Sequence, residues 1–175
     1  VLSGRMNYEV VLVDDGSTDK TLAVLQDQQA QSNNLRILRH RTNAGQSAAL
    51  RTGIAAAQAA WVATLDGDGQ NDPGDISKLT ATAEQSPELK LICGNRQRRH
   101  DSWLRRLASR VANGVRGSIL GDATPDTGCG LKLIHRETFL QLPGFDHMHR
   151  FLPALFQQAG HRTISVPVNH RERSH

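Results

Sequence analysis

A chain of 175 residues with 38% hydrophobic residues is long enough to bury one core and scarcely two, so a single domain is expected. Aromatic residues make up only 4%, and a net charge of +4 with a pI near 9.6 favours an anionic partner: a nucleotide, a lipid phosphate, an acidic membrane surface or nucleic acid. Cys93 and Cys129 form no C-x-x-C pair, which gives no support to a disulfide framework or zinc cluster and suits a reducing compartment; no run approaches the ~20 apolar residues of a spanning helix.

Tyr8 to Val13 is a β-branched run stopped by Asp14-Asp15-Gly16-Ser17, which predicts a buried strand. Ser17 or Thr18 is then placed to cap a helix through Gln31, with Leu22, Val24, Leu25 and Ala30 as its apolar residues. A short strand follows over Leu35 to Leu38, then a turn over Thr42 to Gly45 and an Ala-rich helix from Ser47 to Ala60. Trp61 to Leu65 reads as a strand, Asp75 to Gln85 as a helix, and Leu89 to Cys93 as a strand leading into Gly94-Asn95-Arg96.

From Ser102 to Leu120 apolar residues recur at helical spacing, while Arg106, Arg110, Asn113 and Arg116 line the other face of this basic, amphipathic segment. A Gly-rich turn after Pro125, a short apolar segment Leu131 to Ile134, a helix over Phe151 to Ala159 and a strand Thr163 to Val168 complete the chain. Strands alternating with helices predict a mostly parallel sheet covered on both faces.

The most specific feature is Thr64-Leu65-Asp66-Gly67-Asp68-Gly69-Gln70-Asn71-Asp72-Pro73, which gathers acidic side chains just past the end of a strand. Ligands of open α/β sheets bind at that edge. In a D-x-D turn two carboxylates can converge on one hard cation, Mg2+ or Mn2+, that neutralises a diphosphate leaving group. A bare D-x-D also serves as an acidic turn that stops a strand and caps a helix. Arg96, Arg98, Arg99, Arg105, Arg106, Arg110 and Arg116 form a dense group, whose forks match phosphate oxygens bidentately or simply solvate a helix face. Trp103 and the distant Phe139 are the only aromatics near this group, and no stacking motif for nucleic acid appears. His135, His147, His149, His161 and His170 show no metal-binding spacing, and surface or supporting roles suit them; His170 with Arg171 and Arg173 fits a basic loop over an anionic site.

Six segments in order, VVLVDDGSTDKT (Val10 to Thr21), NAGQSAALRTGI (Asn43 to Ile54), TLDGDGQNDP (Thr64 to Pro73), GNR (Gly94 to Arg96), DTGCGLKLIHRETF (Asp126 to Phe139) and VPVNHRERSH (Val166 to His175), span nearly the whole chain. Together they resemble the family-2 glycosyltransferases, in particular the dolichyl-phosphate mannose synthase branch and its bacterial relatives that use undecaprenyl phosphate. The resemblance implies a three-layer α/β fold of the GT-A, Rossmann-like nucleotide-sugar-binding type. It also implies inverting sugar transfer from a UDP- or GDP-sugar to a polyprenyl phosphate, at the inner, cytoplasmic face of a membrane and without a nucleic-acid partner. Transfer to a saccharide hydroxyl, and a non-catalytic nucleotide- or polyanion-binding module, are the alternatives.

Carried over position by position, the resemblance places Asp15 at the nucleoside, Gly45 and Gln46 beside the nucleotide, and Asp66 near the ribose and metal. Asp68 and Gln70 complete the cation site with Asp66. Many relatives have Lys where this chain has Gln46. Acceptor-phosphate contacts fall on Arg96, Arg105, Ser109 and Arg173, and Asp126 lies with Arg96 at the reacting centre. Arg105 and Ser109, four apart, would share a helix face. Relatives begin with a strand ending in a Pro-x-Tyr-Asn-Glu-like turn that nothing before Tyr8 matches. The expected unit is therefore one catalytic domain over 1–175, lacking its first strand and truncated at both ends.

Overall fold

The structure, a computed structural model, describes residues 7–96 and 124–171. The basic segment from Ser102 to Leu120, with Arg105 and Ser109, and Arg173 near the end, lie outside the described residues.

Strand β1 (Val10–Asp14) pairs in parallel with β2 (Leu35–Arg39), with Val10 opposite Leu35 and Asp14 opposite Arg39. Helix α1 (Thr21–Ala30) connects them. Its start differs from expectation. Ser17 gives its N–H to Asp14, at 3.0 Å, and neither Ser17 nor Thr18 caps the helix; Asp19 accepts the Thr21 N–H at 2.9 Å. None of its residues is buried, and Val24 is 57% exposed, so the helix lies on the sheet margin rather than in the core.

Helix α2 (Gln46–Ala56) ends earlier than its Ala-rich sequence predicts, because Ala57 is extended. The carbonyls it leaves are satisfied from outside: Arg136 donates to Ile54 O at 3.1 Å and Ala55 O at 2.7 Å, and Arg36 donates to Ala56 O. Strand β3 (Trp61–Thr64), a 3-10 turn (Pro73–Asp75), helix α3 (Ile76–Gln85) and strand β4 (Leu89–Arg96) follow, so Gly94-Asn95-Arg96 continues the strand instead of leaving it. After residue 124 come β5 (Lys132–His135), the short helix α4 (Arg136–Gln141), a 3-10 turn (Met148–Arg150), α5 (Leu152–Gln158) and β6 (Arg162–Val168).

These strands form a second sheet in the order β3-β5-β4-β6, in which β4 and β6 are parallel while β5 runs against both of its neighbours. The sheet is therefore mixed, and its parallel part lies at β4 and β6. Helix α4 was not expected from sequence; it turns the chain immediately after β5, with Phe139 and Thr138 buried.

The sheet carries a core on each face. Ile54 of α2, Phe139 of α4, and Leu152 and Phe156 of α5 pack with Leu91, Cys93 and Ile134 on one side. Ile76, Leu79 and Ala83 of α3 pack with Leu89, Ile92 and Leu133 on the other. Strict alternation would put Leu89 and Leu91 on the same face. A register shift between them, opposite Arg162 and Thr163, moves Leu89 to the α3 side. The result is helix, sheet and helix in three layers, with β4 buried on both faces as its near-continuous apolar run requires. Among the described residues no helix is long and apolar enough to cross a membrane.

Candidate active site

The chain leaves β1 at Asp15, β3 at Asp66, β4 after Arg96 and β6 at Asn169, and enters the reversed strand β5 from the Asp126–Gly130 loop. The polar motifs thus collect along one rim of the fold, where strand ends leave backbone groups and short side chains without a core to enter.

Asp15 is an anchor of the turn before α2. Its Oδ1 accepts the Ala44 N–H at 2.9 Å and pairs with His40 Nδ1 at 2.7 Å, and its Oδ2 accepts the Gly45 N–H at 2.8 Å. His40 Nε2 continues to Thr52 Oγ1 at 2.9 Å. The Ala44 N–H, followed by the His40 hydrogen bond, holds the Asp15 carboxyl below the usual carboxylate range. The side chain expected at a nucleoside therefore shapes the loop that carries Gly45 and Gln46. Gly45 is required there by its φ of +87°, whereas a β-carbon would meet only Asp146 at 3.7 Å.

Gln46 opens α2 and donates through Nε2 to Asp66 Oδ1 at 3.3 Å, so the Gly45–Gln46 turn and the acidic loop touch. The acidic loop is internally braced: Asp66 N–H donates to Asn71 Oδ1 at 3.1 Å, and Gln70 N–H to Asp68 Oδ1 at 3.1 Å. Asp66 and Asp68 are half-buried, and the β-carbon position of Gly67 between them opens onto free space.

Asp126 is buried and held by Arg96 in a two-pronged ion pair, Nε to Oδ2 at 2.7 Å and Nη2 to Oδ1 at 2.8 Å. The Arg96 backbone N–H adds a contact to Oδ2 at 3.3 Å. The fork–fork geometry fixes the guanidinium plane as a single hydrogen bond would not. The following loop presses on the acidic turn, with Thr64 Oγ1 donating to Gly130 O at 2.7 Å. Burial pushes the Cys129 thiol up from its ordinary value, consistent with a packing role for this residue.

Several residues at the rim escaped the sequence reading. Ser47, buried in the first turn of α2, bonds His149 Nδ1 at 2.8 Å and accepts the His149 N–H at 3.4 Å. Burial holds the His149 imidazole below its ordinary value, with Arg150 and Lys132 adding to the effect. Lys132 is itself buried, its ammonium donating to the Cys129 carbonyl. Asn71, Asp75 and Asn169 brace the acidic loop. A buried lysine on an apolar strand was a usable sequence signal; the others carried none, because their partners lie far away in the chain.

The family model described as glycosyl transferase family 2 matches residues 1–142. The chain is 36% identical over 96% of its length to an undecaprenyl-phosphate 4-deoxy-4-formamido-L-arabinose transferase of Edwardsiella ictaluri, covering 51% of that protein. It is 38% identical over 96% of its length to a dodecaprenyl-phosphate galacturonate synthase of Rhizobium johnstonii, again covering 51%. The chain thus spans about half the length of these curated relatives. A solved structure of glucosyl-3-phosphoglycerate synthase from Mycobacterium tuberculosis, in complex with Mn2+, UDP-glucose and glycerol 3-phosphate, superposes with a TM-score of 0.65 at 19% identity. That match covers 94% of this chain and 61% of the other, and it shows the shared GT-A architecture. With the family model covering most of its residues and the relatives aligned almost end to end, the chain belongs to glycosyl transferase family 2.

Proposed function

We propose that residues 1–175 are one catalytic domain that transfers a sugar from a UDP- or GDP-sugar to a polyprenyl phosphate at the cytoplasmic face of a membrane. The observation that carries the reading is the meeting, along one rim, of the Asp66–Asp68 turn with the Arg96–Asp126 ion pair across the Asp126–Gly130 loop, whose Gly128 lies beside the ion pair and whose Gly130 lies under Asp66. The two polyprenyl-phosphate sugar transferases named above support the acceptor.

The residues fit a divalent cation, Mg2+ or Mn2+. Asp66 and Asp68 offer hard oxygens on an open turn, and Gln70 is held beside Asp68 by its own N–H. Among the described residues no group of three or more His, Cys, Asp or Glu side chains gathers for a metal, so the Gln70 amide oxygen and substrate phosphates would complete the shell. When bound, the cation supplies charge to neutralise the departing diphosphate.

Asp15 holds the Gly45–Gln46 turn against the donor, and Arg96, Arg105, Ser109 and Arg173 hold the acceptor phosphate. A phosphate oxygen of the acceptor forms the bond to the anomeric carbon as the bond to the nucleotide diphosphate breaks. The nucleotide leaves with the electron pair, and configuration inverts. The acceptor is already ionised at neutral pH, so Asp126 has no proton to remove; it orients Arg96. Positioning and electrostatics supply the rate. In the full-length protein, Asp68→Ala is expected to abolish transfer of radiolabelled sugar from a UDP- or GDP-sugar to undecaprenyl phosphate; undiminished turnover would remove the basis of the cation role.

A further inference from the structure

Asp75 ends the 3-10 turn before α3 and stands at that helix's N-cap, yet its side chain caps nothing in α3. It is 2% exposed, and burying a carboxylate is costly unless its hydrogen bonds are replaced. Both oxygens reach a segment far away in sequence: Oδ2 accepts the Asn169 N–H at 2.6 Å, and Oδ1 accepts Asn169 Nδ2 at 3.2 Å while also pairing with the nearby Lys78 Nζ of α3 at 2.6 Å. Asn169 is the first residue beyond β6.

The segment that Asn169 begins continues along the acidic loop. His170 bridges Asn71 in antiparallel fashion, Arg171 N–H donates to Gln70 O at 2.9 Å, and the Arg171 guanidinium reaches Asp72 Oδ1 at 2.9 Å. Asn71 in turn accepts the Asp66 N–H at 3.1 Å. A continuous set of contacts therefore runs from Asp75 through the strand exit to the backbone of two of the three proposed cation ligands, Asp66 and Gln70.

We infer that Asp75 and Asn169 are positioning residues that strap the end of β6 onto the acidic loop, so that the loop's readiness for a cation depends on this distant segment. The inference rests on the cation reading proposed above. A strap that holds the ligand-bearing backbone in its binding arrangement removes an ordering cost from binding, and releasing it weakens the cation's hold without touching a ligand.

The test is a titration of Mn2+ against the intact protein, following free aqueous Mn2+ by electron paramagnetic resonance, with thermal unfolding to confirm that each variant is folded. Asp68→Ala is expected to lose Mn2+ binding. Asp75→Asn and Asn169→Ala are expected to retain it, weakened about fivefold to tenfold, and the double variant to be no weaker than the weaker single one. Asn169→Ala removes only a side-chain amide and keeps the test open if Asp75→Asn does not fold. Wild-type Mn2+ affinity in the folded strap variants, with Asp68→Ala inactive in binding, overturns the strap alone. Wild-type affinity in Asp68→Ala overturns the cation reading and the strap with it.

Discussion

Asp66 lies so close over Gly130 that a β-carbon on the glycine would collide with the aspartate carboxylate. Thr64 Oγ1 bonds Gly130 O at 2.7 Å and keeps the loop from backing away. Gly130→Ala must therefore move the Asp66 carboxyl. The expected outcome is a loss of Mn2+ affinity and of transfer of at least about tenfold with little change in stability, because the displaced group is the end of a half-exposed side chain. Mn2+ titration beside urea unfolding checks both parts, and unchanged Mn2+ affinity would separate Gly130 from the site.

The Arg96–Asp126 pair makes a different prediction. Side-chain exposures of 14% and 5% put it in a dry environment where a lone partner is penalised. Arg96→Ala is expected to lower stability by about 3–5 kcal/mol, and the double variant Arg96→Ala with Asp126→Ala to be less damaged than Arg96→Ala alone. Chemical denaturation of the variants reads the cycle. In transfer assays, a raised KM for polyprenyl phosphate in Arg96→Lys would mark the fork as an acceptor contact and count against a saccharide-hydroxyl acceptor.

A pH dependence follows from His149. Burial holds its folded-state pKa below the unfolded value of roughly 6.5, so the unfolded chain binds the proton first as pH falls. The associated stability is complete above that unfolded value and is lost as pH falls from it through the folded pKa. His135, shifted the same way by burial, contributes with the same sign. Between about pH 7 and about pH 5, His149→Gln is therefore expected to lose less stability than the wild type. Urea unfolding at a series of pH values measures the difference, and identical slopes would mean that Ser47 does not hold a neutral imidazole.

The parts of this architecture that sequence revealed are those written in contiguous residues. The β-branched run before Asp14, the D-x-D turn after Trp61 and the DTGCG loop each carry their own stop signal, and each ends at the rim. Helix α1 was legible as a helix but not in its packing, since Leu22, Val24 and Leu25 suggest a buried face, whereas Leu22 and Leu25 are only half-buried and Val24 is exposed. Helix α4 was invisible because a run as short as Arg136–Gln141 shows barely more than one helical turn of periodicity. The bracing of the site was equally hidden. Ser47 meets His149 across 102 residues and Asp75 meets Asn169 across 94, and nothing local marks either partner. Asp15 is the instructive case: its motif was recognised, while its hydrogen bonds to Ala44, Gly45 and His40 belong to a loop that only the folded chain brings near.

The most direct measurement is a crystal structure of the full-length protein with Mn2+ and a nucleotide-diphosphate sugar, using the anomalous signal of manganese to place the ion. The account expects the ion held by Asp66, Asp68 and Gln70 next to the diphosphate, with Arg96 on the side from which the acceptor phosphate approaches. Manganese and diphosphate bound away from Asp66 and Asp68 would contradict it.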